Sequence, residues 1–329
     1  VFEQKVASCL VNPRACHETE LNYNKTDNKK NIAVVGAGPA GMSAASVLGK
    51  RGHNVTLFDA DKEIGGQFNI AKQIPGKEEF YETIRYFKKQ LELHNVTVKL
   101  NTRVSSDDLV TGNFDEVIIA TGIKPRMPKI AGIEHAKVLS YLDVLKFKKP
   151  VGKRVAVIGA GGIGFDVSEY LTHEGESTSQ NIDAWLKEWG IDKTLKSRSG
   201  IEGVKAEIEP SPREVFMFKR SKGKFGGKLG KTTGWIHRST LKKKKVQFIN
   251  EVQYTKIDDE GLHYIQNEEQ KLLCVDNVII CAGQTPFKEL VVPLKEKGIN
   301  VHVIGGADVS SELDAQRAIN QGCRLAAQL

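Results

Sequence analysis

An α/β fold with two doubly wound parallel-sheet domains, one inserted in the other, is predicted by three observations. The apolar strand Asn31-Ile-Ala-Val-Val35 runs into Gly36-Ala-Gly-Pro-Ala-Gly41, and Arg154-Val-Ala-Val-Ile158 runs into Gly159-Ala-Gly-Gly-Ile-Gly164 in the same way. Two further strands, Val117 to Gly122 and Asp276 to Gly283, each end in a small-residue turn and mirror one another. A chain of 329 residues is long enough for two buried cores.

The first turn is read residue by residue. Gly36 permits the tight exit from the strand, Gly38 lets backbone approach a pyrophosphate, and Gly41 lets the new helix pack closely on the sheet. Pro39 and Ala40 fill the turn between them, and a helix to Arg51 follows. Free N–H groups and the helix dipole then favour negative charge at its N-terminus. The next strand, Asn54-Val-Thr-Leu-Phe58, ends in Asp59, placed about 20 residues on to bind a ribose hydroxyl. Strand, turn, helix, strand and acid form a complete Rossmann-like dinucleotide-binding unit.

The second turn has the same glycines, Gly159, Gly161, Gly162 and Gly164, but a different ending. Its helix reaches Leu171, a long segment runs from Thr172 to Arg213, and the strand Glu214-Val-Phe-Met-Phe218 ends in Lys219-Arg220-Ser221-Lys222. An acid there would repel a 2′-phosphate, whereas a guanidinium makes paired charge-assisted bonds to it. Arg220 is the first candidate for that contact, with Lys222 and Lys224 in support, so NADPH is the expected nucleotide. Leu229-Gly-Lys-Thr232 mimics a phosphate-binding P-loop, but Phe225 stands where that motif needs glycine. Residues 226–234 are read instead as a loop over the nicotinamide nucleotide.

The inserted segment carries Ile182, Trp185, Leu186 and Trp189 at helical spacing, capped by Gly190, and this face is expected to pack. Lys242 to Lys245 reads as a solvated helix end before a strand at Val246 to Asn250, and Leu313 to Gln321 as the last helix. The net charge of +8 suits phosphate-rich ligands. No aromatics interleave with the lysines, which argues against nucleic acid. The longest apolar runs fall well short of the roughly 18 residues of a membrane span. Five scattered cysteines fit a reducing compartment, so a cytoplasmic setting without membrane or nucleic-acid partners is expected.

Ile64-Gly-Gly66-Gln67, Thr121-Gly122 and Val303 to Asp308, with the first glycine turn, resemble the two-dinucleotide-binding flavoproteins. That resemblance implies FAD on the first turn, with Gly66, Gln67, Val104, Thr121, Gly122 and Asp308 among its contacts. One departure is Gly306-Ala307-Asp308, where many relatives place Gly directly before Asp. Ser8 to Glu18, Ile64 to Glu79, Gly175 to Asn181 and Gly230 to Arg238 bring the chain closer to one family. They resemble the bacterial NADPH-dependent 2,4-dienoyl-CoA reductases, which share a plan with trimethylamine dehydrogenase.

That family implies an upstream flavin barrel carrying FMN and the dienoyl-CoA site, joined by a 4Fe-4S cluster to a half like this chain. Cys9 falls at the fourth cysteine of the family's C-x2-C-x3-C-x11-C motif, and the other three would precede Val1. The expectation is a C-terminal fragment in which one thiolate holds no cluster and in which no general acid is named. Cys16, Cys274, Cys281 and Cys323 are expected to be buried structural thiols. Residues 1–28 are read as the remnant of the cluster segment, about 29–150 with 284–329 as the FAD domain, and 151–283 as the NADPH domain. A disulfide reductase would need a close cysteine pair, which is lacking. A stand-alone NADPH:acceptor reductase of ferredoxin-reductase type and a non-catalytic FAD/NADPH-binding module are the alternatives.

Overall fold

A computed structural model describes residues 6–311 and 314–329 and divides into two units. The first runs through Asn69 and takes in Glu79–Lys124 and Gln284–Leu329; the second holds Ile70–Glu78 and Pro125–Gly283. The chain opens with β1 (Asn31–Val35), α1 (Pro39–Arg51), β2 (Asn54–Phe58), α2 (Phe68–Ala71), α3 (Phe80–Leu93), β3 (Thr97–Lys99), α4 (Ser106–Thr111), β4 (Glu116–Ile119) and β5 (Ile123–Pro125). It continues with β6 (Val138–Ser140), α5 (Tyr141–Leu145), β7 (Arg154–Ile158), α6 (Gly162–Leu171), α7 (Ile182–Trp189), β8 (Glu214–Phe218), α8 (Gly234–Lys243) and β9 (Gln247–Ile249). Next come β10 (Val252–Ile257), β11 (Leu262–Gln266), β12 (Glu269–Leu273) and β13 (Asn277–Ile280). The return is β14 (Gln284–Pro286), α9 (Val291–Glu296), β15 (Val301–Val303) and α10 (Ala315–Gln328).

In the first unit the parallel sheet runs β15-β4-β1-β2-β3, with β1 in the middle. Ile32, Ala33 and Val34 are fully buried because helices cover both faces. Each buried Val or Ile of such a strand contributes about 1.5–3 kcal/mol. The closest helix pair is α1 with α10, where small residues let backbones meet. A Cβ on Gly322 would lie 2.4 Å from Ala40 O and from Ser43 Oγ, and Ser43 Oγ donates to Ile319 O at 3.1 Å. Asp314 caps α10 by accepting from Arg317 N. The sequence starts that helix at Leu313, which lies outside the described residues. The N-terminal stretch also docks here: Leu21 is buried, and Val11 and Tyr23 pack on the α1 core.

The second unit repeats the plan with β6-β13-β7-β8-β9, all parallel. The sequence assigned 125–150 to the first domain; here β6 pairs with β13, so that stretch belongs to the second sheet. An antiparallel sheet, β10-β11-β12, was not anticipated. Its β11–β12 turn, Asn267-Glu268, has both residues at positive φ, as a two-residue hairpin requires. Its inner residues Val252, Ile257, Leu262 and Tyr264 join the core under β7 and β8.

Two packing expectations are corrected. The α7 helix forms and ends in Gly190 at φ +67°, yet none of its residues is buried; Ile182 is 76% and Trp185 40% exposed. Its apolar stripe is covered at the surface, by Trp185 against Trp189 and by Lys243 Nζ 3.5 Å over the Trp189 ring. Cys281 and Cys323 are buried, but Cys16 and Cys274 are exposed. Cys16 sits in a surface turn at φ +63°, and Cys274 follows β12 with its neighbour Val275 pointing inward.

Gly322→Val should lower folding stability by about 1–3 kcal/mol through overpacking of α10 on α1, read from urea unfolding. Unchanged stability would show that the two helices part at no cost.

Candidate functional site

Each glycine turn is built by close backbone approach. A Cβ on Gly36, at φ +109°, would lie 2.4 Å from Ala120 O, and one on Gly41 would lie 1.8 Å from Gly36 O. The second turn repeats this: Gly159, at φ +123°, would meet Cys281 O at 2.3 Å, and Gly164 would meet Gly159 O at 1.9 Å. These glycines serve the fold. The middle ones face outward. Gly38 has only Gly66 Cα, at 4.0 Å, near its missing side chain, and Gly161 and Gly162 have nothing within 4 Å.

Around the first turn a second loop closes in. Gly65 N donates to Ala37 O at 2.8 Å, and a Cβ on Gly66 would lie 2.9 Å from Gly38 Cα. Pro39 starts α1 with no side-chain cap, so the first-turn N–H groups stay open to a ligand. Asp59 Oδ2 accepts from Ala37 N at 2.6 Å and Oδ1 from Asp61 N at 2.8 Å, so the acid braces the turn itself. A carboxylate accepts up to about four hydrogen bonds, so bracing is compatible with binding a ribose. Gln67 is exposed at the rim of this loop.

The other candidates of the first unit divide by task. Thr121 Oγ1 donates to Phe287 O, and Gly122, at φ +76°, accepts from Phe287 N, so this pair ties β4 to the returning chain. Val104 packs on the Val117 and Leu109 cluster. Asp308 is exposed and accepts from Gln321 Nε2 at 2.8 Å, while Gln321 Oε1 accepts from Gly305 N at 2.8 Å. Gln321 therefore holds the Gly305–Ala307 turn and the Asp308 side chain together. Its place one residue before Gly322 on the last helix gave no reason to choose it from the sequence.

In the second unit Lys219 occupies the position of Asp59, directly after the strand beside the glycine turn. Lys219 Nζ donates to Lys224 O at 3.0 Å and so shapes its own loop. Arg220, Lys222 and Lys224 are exposed, with Arg220 near the half-buried Tyr254 phenol. Gly226 N donates to Ala160 O at 3.3 Å, which ties the start of the 226–234 loop to the second turn.

A pyrophosphate is recognised by open N–H groups and by backbone stripped of Cβ atoms. Both turns supply these, so the residues present fit two dinucleotides. A family model described as pyridine nucleotide-disulphide oxidoreductase matches residues 30–317. The chain belongs to that family. The family implies FAD and a pyridine nucleotide. Among similar proteins are a "Metal reductase" of Desulforamulus reducens, 29% identical over 311 residues, and an "NADH oxidase" of Thermoanaerobacter brockii, 30% identical over 337 residues. They cover 93% and 100% of this chain, which spans 45% and 46% of their lengths. A solved 2-naphthoyl-CoA reductase complex superposes with a TM-score of 0.84 at 26% identity, over 100% of this chain and 44% of that one. The chain thus spans less than half the length of these relatives.

The iron–sulfur candidate is different. Cys9 is partly buried, and among the described residues no group of three metal-ligating side chains includes it. Four thiolates hold such a cluster, so the residues present do not fit one. The described cysteines are free thiols; burial pushes Cys281 up and Cys323 up to about 11, which makes both poor nucleophiles.

Gly38→Val should fold normally, because its side chain enters open space, yet purify without flavin absorbance. Gly36→Ala should instead lose about 2 kcal/mol or more of stability. Retained yellow colour in folded Gly38→Val would remove the first turn as the flavin nucleotide's seat.

Proposed function

We propose that this chain is the NADPH- and FAD-binding part of a longer iron–sulfur flavoenzyme that reduces an unsaturated acyl-CoA thioester, 2,4-dienoyl-CoA being the expected substrate. The observation that carries the reading is the pair of glycine turns with opposite endings, Asp59 after β2 and Lys219-Arg220 after β8. Gly38, Gly66 and the α1 N-terminus would hold the FAD pyrophosphate, with Asp59 on the ribose and Asp308 towards the flavin end. Gly161, Gly162 and the α6 N-terminus would hold NADPH, with Arg220, Lys222 and Lys224 around its 2′-phosphate.

FAD, when bound, supplies an acceptor that takes two electrons together and can release them singly. The chain's residues contribute binding, orientation and electrostatics, which is the usual share of a cofactor enzyme's protein. Cys9 would complete a 4Fe-4S site only with three cysteines from a preceding segment, and an FMN barrel there would hold the thioester. The relative solved with 2-naphthoyl-CoA supports a thioester substrate for the longer enzyme. Its length, more than twice this chain, also favours this reading over a stand-alone NADPH:acceptor reductase.

Two outcomes are expected. The purified chain, loaded with FAD, should be bleached anaerobically by NADPH and should reduce an artificial dye, but should leave dienoyl-CoA untouched; thioester reduction by this chain alone would overturn the proposed division of labour. Arg220→Ala should weaken NADPH by about 10- to 100-fold, the worth of one charged hydrogen-bonding pair, and leave NADH nearly unchanged. Equal losses for both nucleotides would remove the phosphate role.

A further inference from the structure

Behind the second turn lies a charged cluster that no step above uses. Glu169 on α6 has a side chain only 6% exposed, and its Oε1 lies 2.7 Å from Nδ1 of His237 on α8. Asp166, one helical turn earlier on α6, accepts from Lys77 Nζ at 2.5 Å. The groups facing the Glu169–His237 pair are thus Asp166 from its own helix and Lys77 from the 70–78 segment.

Those contacts lead back to the nucleotide turn. Arg238, next to His237, donates from Nη1 to Gly226 O at 3.3 Å, and Gly226 N donates to Ala160 O at 3.3 Å. Gly226 also rests on Phe165, whose ring a Cβ there would meet at 2.9 Å. The first turn of α8 is fixed to the loop by Gly234 N donating to Gly230 O at 2.7 Å. So α6, which starts at the second glycine turn, is joined to α8 by an ion pair, and α8 follows directly on the loop whose first residue is bonded to that turn.

We propose that Glu169 and His237 form a proton-dependent latch, a pair of positioning residues that holds the 226–234 loop over the pyridine nucleotide. The proposal rests on the reading of the second turn as the pyridine-nucleotide site. While His237 carries its proton, the bond to Glu169 is charge-assisted and about twice as strong as a neutral one. Loss of that proton leaves Glu169 buried beside Asp166 with Lys77 as the remaining cation. The hydrogen bond that His237 donates to Glu169 holds the His237 pKa above its ordinary value, and burial also raises that of Glu169. With its histidine raised, the latch is intact below that raised value and weakens as pH rises through it. At the acid end Glu169, itself raised by burial, takes up a proton and gives up its charge.

The test compares wild type, His237→Gln and Glu169→Gln from about pH 7 to about pH 9, above the ordinary histidine range. Two quantities are measured: the Kd for NADP+, and the rate of tryptic cleavage at Lys228 and Lys231 normalised to an unstructured peptide. Wild type should lose about three- to tenfold in NADP+ affinity over that range, and cleavage should rise in parallel. Both variants should show weak, pH-flat binding and fast, pH-flat cleavage. In Glu169→Gln the His237 titration seen by NMR should fall back to the ordinary range. Wild-type pH profiles in either folded variant would overturn the latch. If wild type binds no NADP+, the nucleotide assignment fails, and the cleavage profiles still decide the latch by themselves.

Discussion

The whole architecture depends on one steric condition met twice: a strand-end carbonyl occupies the space where a side chain would begin. Ala120 O fills it at Gly36 and Cys281 O at Gly159. Because the carbonyl sits there, the chain leaves each central strand at positive φ, and the following helix starts hard against the sheet. That start aims open N–H groups into the gap between neighbouring strands, where the strand order reverses. The space at Gly38 and Gly161 stays open because Gly36, Gly41, Gly159 and Gly164 have fixed that geometry.

Given two equal cradles, the differences between them carry the chemistry. After β2 the carboxylate of Asp59 folds onto Ala37 N, placing negative charge where a ribose hydroxyl could donate to it. After β8 the equivalent Lys219 turns to its own loop, leaving Arg220, Lys222 and Lys224 exposed around the space a 2′-phosphate would fill. One scaffold thereby presents two differently charged strand ends beside its two glycine turns.

How much of this was legible follows from the range of the forces involved. The turns, their strands and Asp59 could be read because strand burial and glycine sterics act within a few residues, and β1, β2, β7 and β8 fall where the sequence put them. The α7 stripe misled because periodicity reports an apolar face and not what covers it; Trp189 is covered by Lys243, over 50 residues away in the chain. The place of residues 125–150 depended on β6 pairing with β13, a contact between distant segments. Gln321 and the Glu169–His237 pair escaped for the same reason, since each acquires its role only from a partner that folding brings close.

The charged cluster has a physical rationale in the contrast between the two nucleotide helices. The α1 sequence, Pro39–Arg51, contains no acid, and its buried face is made of small and apolar side chains. The α6 helix carries Asp166 and Glu169 in the turns just behind its N-terminus. Two uncompensated carboxylates within a few turns of a bound phosphate would oppose it, and they would do so strongly where protein screens poorly. Lys77 neutralises the first and His237 the second. The second compensation depends on an imidazole proton. On the proposed latch, the same proton that offsets the Glu169 charge would also tie down the loop at the second cradle.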